Sequence, residues 1–180
     1  KLTAPQADRA WPRARLFDRL DAARGRGSVV WIAAPAGAGK TTLVASWLRA
    51  RRLRSVWYRV DAADSDVASF FHYLGLIASA RSGRRKEVLP AFTAEYLGGL
   101  AGFARHWFRG FFRLVRGAAL LVLDDYHEIP VDSPLHLAIR EGLAEVPPGM
   151  AVIAISRVEP PPVLTRLRML DGFTLLDRDA

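Results

Sequence analysis

A-P-A-G-A-G-K-T, Ala34 to Thr41, is the stretch that decides the fold. It matches G-x-x-x-x-G-K-[ST] except that alanine stands at the first glycine position. Gly37 and Gly39 lack a Cβ, so the backbone there can curl until successive N–H groups face one anion. A helix opening near Lys40 turns the positive end of its dipole toward the same point. In that arrangement Lys40 reaches the β- and γ-phosphates of a nucleoside triphosphate. Thr41 would ligate magnesium, and Thr42 would assist at the α-phosphate. Pro35, Ala36, Gly37, Ala38 and Gly39 form the rest of the cradle, with ATP or ADP and Mg2+ as the expected occupants. The plain alternative is a chance glycine-rich turn. Its setting argues against that, because the motif follows an apolar run and opens a helical pattern from about Lys40 to Arg51.

Outward from the loop, apolar blocks of strand length alternate with helical periodicity. The block before it is S-V-V-W-I-A, Ser28 to Ala33. Val56 to Val60, Ala118 to Leu123, Ala151 to Ile155 and Phe173 to Leu176 are the other predicted strands. They are continuous apolar runs, as strands buried on both faces require. Predicted helices cover Arg13 to Ala23, a segment capped by Asp66 that carries Phe70, Phe71, Leu74 and Ile77, Leu135 to Val146, and a short stretch ending at Leu170. The region from Thr93 to Arg116 reads as helix broken or weakened at Gly98, Gly99, Gly102 and Gly110. Residues 81–90 read as a basic loop. This order predicts an α/β fold of three layers, a parallel sheet between helices. Residues 1–27 form a lead-in with a short helix, and residues 28–180 form the P-loop NTPase domain.

A second motif carries the metal chemistry. Leu120 to Asp125 reads L-L-V-L-D-D, four apolar residues and then two carboxylates where a buried strand should emerge. With a phosphate loop upstream, Asp124 is expected to hold magnesium together with Thr41, and Asp125 to orient or deprotonate the attacking water. Glu128 is the other carboxylate that could position the water, and His127 reads as a surface histidine. The next strand runs A-V-I-A-I-S and ends at Arg157, where a cation can sense the γ-phosphate. An exposed loop arginine is the plain reading of Arg157. The catalytic candidates are therefore Lys40, Asp125 and Arg157.

Composition narrows the class. The chain has 180 residues, no cysteine, a net charge of +8 and a pI near 10.7. Lysine supplies only Lys1, Lys40 and Lys86 of the 26 basic residues. That arginine bias fits compositional drift better than a polyanion-binding design, which would mix lysine and exposed aromatics. Without cysteine there is no disulfide or thiol chemistry, which agrees with a reducing cytoplasm. No apolar run approaches bilayer length, and no secretion signal is present at the start. The chain opens at Lys1 and closes at Ala180 just after a strand-like segment, so a longer protein is expected around it.

Weaker signals have bland readings. Arg105, Arg109, Arg113 and Arg116 recur at helical spacing opposite aromatic residues. They read as a solvated face, with a protomer contact or an acidic partner as alternatives. Arg49, Arg51, Arg52 and Arg54 suit a helix C-terminus. Asp61, Asp64 and Asp66 read as caps, because the calcium-loop glycine and distal glutamate are missing.

Four segments in order carry a family resemblance: A-P-A-G-A-G-K-T-T-L-V-A-S-W-L, V-D-A-A-D-S-D-V-A-S-F-F-H-Y-L, L-L-V-L-D-D-Y-H-E-I and I-S-R-V-E-P-P. They resemble the ATPase module of the large ATP-binding LuxR-type regulators, the maltose-regulon activator group of the signal-transduction ATPases with numerous domains (STAND). The resemblance implies an additional-strand P-loop fold with sheet order 5-1-4-3-2 and places Arg157 beside the γ-phosphate as a sensor. It implies a slowly hydrolysing nucleotide switch, a closed ADP-bound monomer that self-associates when an inducer and ATP bind. DNA would be reached only through a domain outside this chain. Ala34 and the glycine-marked segment depart from the usual pattern, and the second leaves the subfamily open. Two rivals stand beside the switch. One is a P-loop phosphotransferase acting on a small acceptor, with Arg81 to Lys86 as its lid. The other is a scaffold that holds nucleotide without hydrolysing it.

Overall fold

The computed structural model describes residues 1–5, 13–82, 88–165, 167 and 172–177. Residues 6–12 of the lead-in, most of the Arg81 to Lys86 segment and the stretch toward Leu170 lie outside the described residues. Five parallel strands form one sheet: β1 (Val29–Ala33), β2 (Ser55–Arg59), β3 (Leu120–Asp124), β4 (Ala151–Ser156) and β5 (Phe173–Leu176). Their spatial order is β2-β3-β4-β1-β5, the order the family resemblance implies.

Alternation along each strand divides the interior into two cores. Val29, Trp31, Val56, Tyr58, Leu121, Leu123, Val152 and Ala154 pack toward one face. There they meet α3 (Val67–Ser82), α4 (Leu100–Leu114) and α5 (Leu135–Leu143). Val30, Ile32, Trp57, Leu120, Val122, Ile153 and Ile155 pack toward the other face. That face is covered by α1 (Ala14–Arg26) and α2 (Lys40–Ala50). Both faces are dry, which is why the strands read as unbroken apolar runs. A one-turn helix, α6 (Pro162–Thr165), follows β4 and buries Leu164.

Two features depart from expectation. Helix α4 runs unbroken through Gly102 and Gly110, preceded by a 3-10 segment, Ala94–Gly99. Its aromatic stripe explains the continuity, since Phe103, Trp107, Phe108 and Phe111 are all buried. Burial of that stripe outweighs the roughly 1 kcal/mol that each interior glycine costs. The arginines on its outer face are also less free than a solvated face implies. Arg105 bonds Glu141, and Arg109 grips Glu145 through two bonds of 2.6 and 2.9 Å. They therefore tie α4 to α5 and to the turn after it.

Lys1 docks on the edge strand. Its backbone carbonyl accepts from the Arg59 amide at 2.8 Å, and its Nζ bonds Asp61 and Asp64. Asp61 and Asp64 do form a capping box on the 3-10 turn Ala62–Ser65, and Asp66 caps α3. Asp64 does more than cap. It is fully buried and accepts a 2.5 Å bond from the Tyr58 hydroxyl.

Candidate functional site

The carboxyl ends of β1, β3 and β4 meet at one edge of the sheet, and the predicted residues gather there. Ala34 leaves β1 with its amide bonded to the Ser156 carbonyl, so the phosphate loop and the segment bearing Arg157 start side by side. Gly37 and Gly39 take φ of +78° and +77°, the left-handed region where a side chain is strained. Helix α2 begins at Lys40 directly after Gly39. Pro35, Ala36, Gly37 and Ala38 are exposed along the loop, Gly39, Lys40 and Thr41 are half-buried, and Thr42 is exposed.

Lys40 folds back over the loop, its Nζ donating to the Ala34 carbonyl at 2.5 Å and the Pro35 carbonyl at 2.9 Å. Burial, and then the nearby Arg157 cation, push its pKa below the ordinary lysine value. Two cations whose fields overlap, opposed only in part by Asp125 and Asp124, favour an anion at this point. Thr41 Oγ1 donates a 2.9 Å hydrogen bond to Asp124 Oδ1. Asp124 is 2% exposed, and burial raises its pKa, only partly opposed by the Thr41 bond. A buried carboxylate facing a hydroxyl in this way suits a hard divalent cation. Among the described residues no cluster of three or more metal-ligating side chains occurs. A magnesium ion held by Thr41 and Asp124 would therefore complete its shell with phosphate oxygens and water.

Asp125 follows in a left-handed turn, φ 56°, and its carboxylate pairs with Arg59 at 2.9 Å. Tyr126 anchors that turn. It packs edge-on against Trp31 at 4.7 Å and bonds the His136 ring at 3.0 Å. Arg157 is exposed at the end of β4. The turn after it is fixed by the Trp31 indole donating to the Val158 carbonyl at 3.0 Å and by Val158 N–H donating to Ser156 Oγ. Glu128 is exposed at the rim of the same cleft.

Sequence reasoning missed two features. His127 is not a surface histidine, since its side chain is only 12% exposed. Among the described residues neither ring nitrogen makes a hydrogen bond; Glu128 Oε1 lies 3.3 Å from Nε2 without forming one. Burial lowers its pKa and the Arg157 charge lowers it further, opposed by Glu128 and Asp125, so the ring lies among the site's charged groups of both signs. The second feature is a cavity of about 190 Å3 beside the loop, walled by Leu16, Leu20, Ile32, Leu43 and Leu176. The Arg13 guanidinium lies at its mouth, over Gly39. The helical spacing of Leu16 and Leu20 was visible in the sequence, but their meeting with β5 was not.

No family model matches the chain. It is 30% identical over 95% of its length to the HTH-type transcriptional regulator MalT of Vibrio cholerae, and 32% identical over 76% to MalT of Yersinia enterocolitica. It spans only 19% and 15% of those regulators. A STAND protein with a tetratricopeptide repeat sensor from Pyrococcus horikoshii shares the fold over 97% of this chain and 24% of its own, with a TM-score of 0.60 and 20% identity. A DNA replication initiation factor aligns over 96% of this chain and 48% of its own, with a TM-score of 0.50 and 17% identity. With its phosphate loop, its sheet order and this kinship to the MalT regulators, the chain is a MalT-like P-loop module.

Proposed function

We propose that the module binds ATP with magnesium and hydrolyses it slowly, serving as the nucleotide switch of a larger transcriptional regulator. The observation that carries this reading is the convergence of Lys40, Thr41, Asp124, Asp125 and Arg157 at one sheet edge, with Thr41 and Asp124 in direct contact. The loop amides and the α2 N-terminus would hold the phosphates, and Lys40 would turn from the loop carbonyls to the γ-phosphate. The cavity walled by Leu16, Leu20 and Leu43 would take the base. Bound magnesium supplies charge neutralisation at the phosphates. Asp125 would take a proton from water as the water oxygen bonds the γ-phosphorus and the bond to the β–γ bridging oxygen breaks. ADP and inorganic phosphate result. Arg157 would stabilise the charge on the transferring group, and His127 would fix the geometry between Asp125 and Arg157.

Residues 28–180 form the nucleotide domain in this reading, and the segment before them lines the base cavity through α1. The relatives are HTH-type regulators of much greater length, which supports DNA contact through a part of the protein outside this chain. The family resemblance further implies inducer binding elsewhere and self-association in the ATP state, and the lack of cysteine agrees with a cytoplasmic setting. Among the described residues no helix is long and apolar enough to cross a membrane.

Incubation with γ-labelled ATP tests the reading. Free phosphate whose release depends on Asp125 supports the switch. A labelled small acceptor would establish a phosphotransferase instead, and bound nucleotide with no turnover would establish a scaffold. The lid that a phosphotransferase would need, Arg81 to Lys86, lies mostly outside the described residues.

A further inference from the structure

We infer that Arg59 is a positioning residue that holds the Asp125 carboxylate toward the edge strand, so that hydrolysis advances only when this ion pair opens. The inference rests on the reading of Asp125 as the group that handles the attacking water.

Strand β2 is the outermost on its side of the sheet, and the phosphate loop hangs from β1, on the opposite side of β3. Arg59 is the register partner of Asp124, and the next residue, Val60, donates its amide to the Asp124 carbonyl at 2.8 Å. Arg59 is thus fixed by the ladder beside the two carboxylates, on the side away from Lys40. Its Nε donates to Asp125 Oδ2 at 2.9 Å. The Asp125 amide is held as well, donating to Asp124 Oδ1 at 3.1 Å. With its backbone in a left-handed turn, only side-chain rotation is left to bring the Asp125 carboxylate toward the phosphates.

The pair has the properties of a restraint and not of a structural tie. Arg59 is 66% exposed and Asp125 25% exposed, a regime in which ion pairs are weak and screened by salt. A guanidinium bonded to the carboxylate also occupies a lone pair that would otherwise accept the proton of the water. Release leaves the guanidinium well placed, because Asp61 and Glu128 line the same open cleft. The contact was invisible in the sequence. Residues 59 and 125 meet only through the β2–β3 register.

The test is steady-state hydrolysis by the 180-residue chain at saturating ATP and magnesium. Arg59→Gln is expected to raise kcat by about two- to fivefold, the ratio that opening a part-exposed ion pair sets, with KM and nucleotide affinity unchanged. Arg59→Lys, which keeps the charge, should stay near the wild-type rate. Added salt should accelerate the wild type and leave Arg59→Gln unmoved, a split that loss of folding would not give. An unchanged or lower kcat in Arg59→Gln, with an unaltered melting temperature, overturns the inference. Failure of the underlying reading looks different: Asp125→Asn would then hydrolyse as fast as the wild type, whatever Arg59→Gln does.

Discussion

The Thr41 hydroxyl donates to the Asp124 carboxylate across 2.9 Å, joining two residues 83 positions apart in the chain. Helix α2 and strand β3 bring them together, and the bond stands in for the oxygen pair a divalent cation would draw in. The carboxylate is buried and its pKa is raised by that burial, so the ionised form is under strain without a cation.

That strain has a measurable sign. A carboxyl group with a raised folded pKa binds protons more tightly folded than unfolded, so its contribution to stability falls as pH rises above about 4. Asp124→Asn keeps the Thr41 contact and removes the charge. It is expected to stabilise the nucleotide-free chain at pH 7, seen as a higher Tm, while abolishing the magnesium dependence of ATP binding. Thermal melts with and without MgATP check both halves, and a destabilised Asn variant contradicts the account.

Among the described residues, the hydrogen bonds of the Lys40 side chain go to its own loop, to the Ala34 and Pro35 carbonyls. Lys40→Ala should therefore leave far-UV circular dichroism and Tm nearly unchanged, within about 0.5 kcal/mol, because the side chain is half-buried and bonds only loop carbonyls among the described residues. ATP binding should weaken by about 10- to 100-fold, as loss of a charge-assisted contact to phosphate implies. Calorimetric titration with ATP measures this. Collapse of the fold would show that Lys40 has a structural role the geometry does not give it.

How far the sequence could be read follows from how local each signal is. The phosphate loop is eight consecutive residues, and the strands lie under helices on both faces, so both leave continuous signatures. The sheet order came from the family resemblance, because nothing in Val152 or Leu121 alone states which strand it borders. His127 looked superficial because its low exposure exists only once the turn after β3 is placed, beside the point where Tyr126 packs against Trp31 of β1. The Arg59–Asp125 pair and the buried Asp64–Tyr58 bond likewise exist only after the strands are in register.

Glycine was misread for a related reason, and the two readings separate by mutation. Propensity treats Gly102 and Gly142 alike, yet a Cβ at Gly102 meets nothing within 4 Å, whereas one at Gly142 would lie 2.4 Å from the Phe108 ring. Gly102→Ala is expected to stabilise by about 0.5–1 kcal/mol through helix propensity. Gly142→Ala should destabilise by about 1–3 kcal/mol, as overpacking between α4 and α5 does. Urea denaturation of the two variants decides it, and equal shifts would reject the packing argument.

A buried histidine, His136, and a half-buried one, His127, give the nucleotide-free chain a pH dependence. His136 Nε2 bonds the Pro130 carbonyl at 2.9 Å, which fixes the proton on Nε2 and leaves Nδ1 to accept from the Tyr126 hydroxyl at 3.0 Å. Burial lowers its pKa, and burial lowers that of His127 too, with Arg157 adding to the effect there. A histidine with a depressed folded pKa binds fewer protons folded than unfolded, so stability should be complete above about pH 6.5 and fall as the pH drops below it. Protonating His136 would also cost Tyr126 its acceptor, loosening the turn that carries Asp125. His127→Phe should flatten part of the decline without harming stability at pH 7, because it replaces a half-buried ring whose nitrogens make no hydrogen bond. The same variant should lose hydrolysis while still binding ATP, if the ring fixes Asp125 against Arg157. Chemical denaturation from pH 5 to 8, with turnover measured at pH 7.5, separates the two roles. A His127→Phe chain that hydrolyses at the wild-type rate would leave the imidazole as half-buried filling and nothing more.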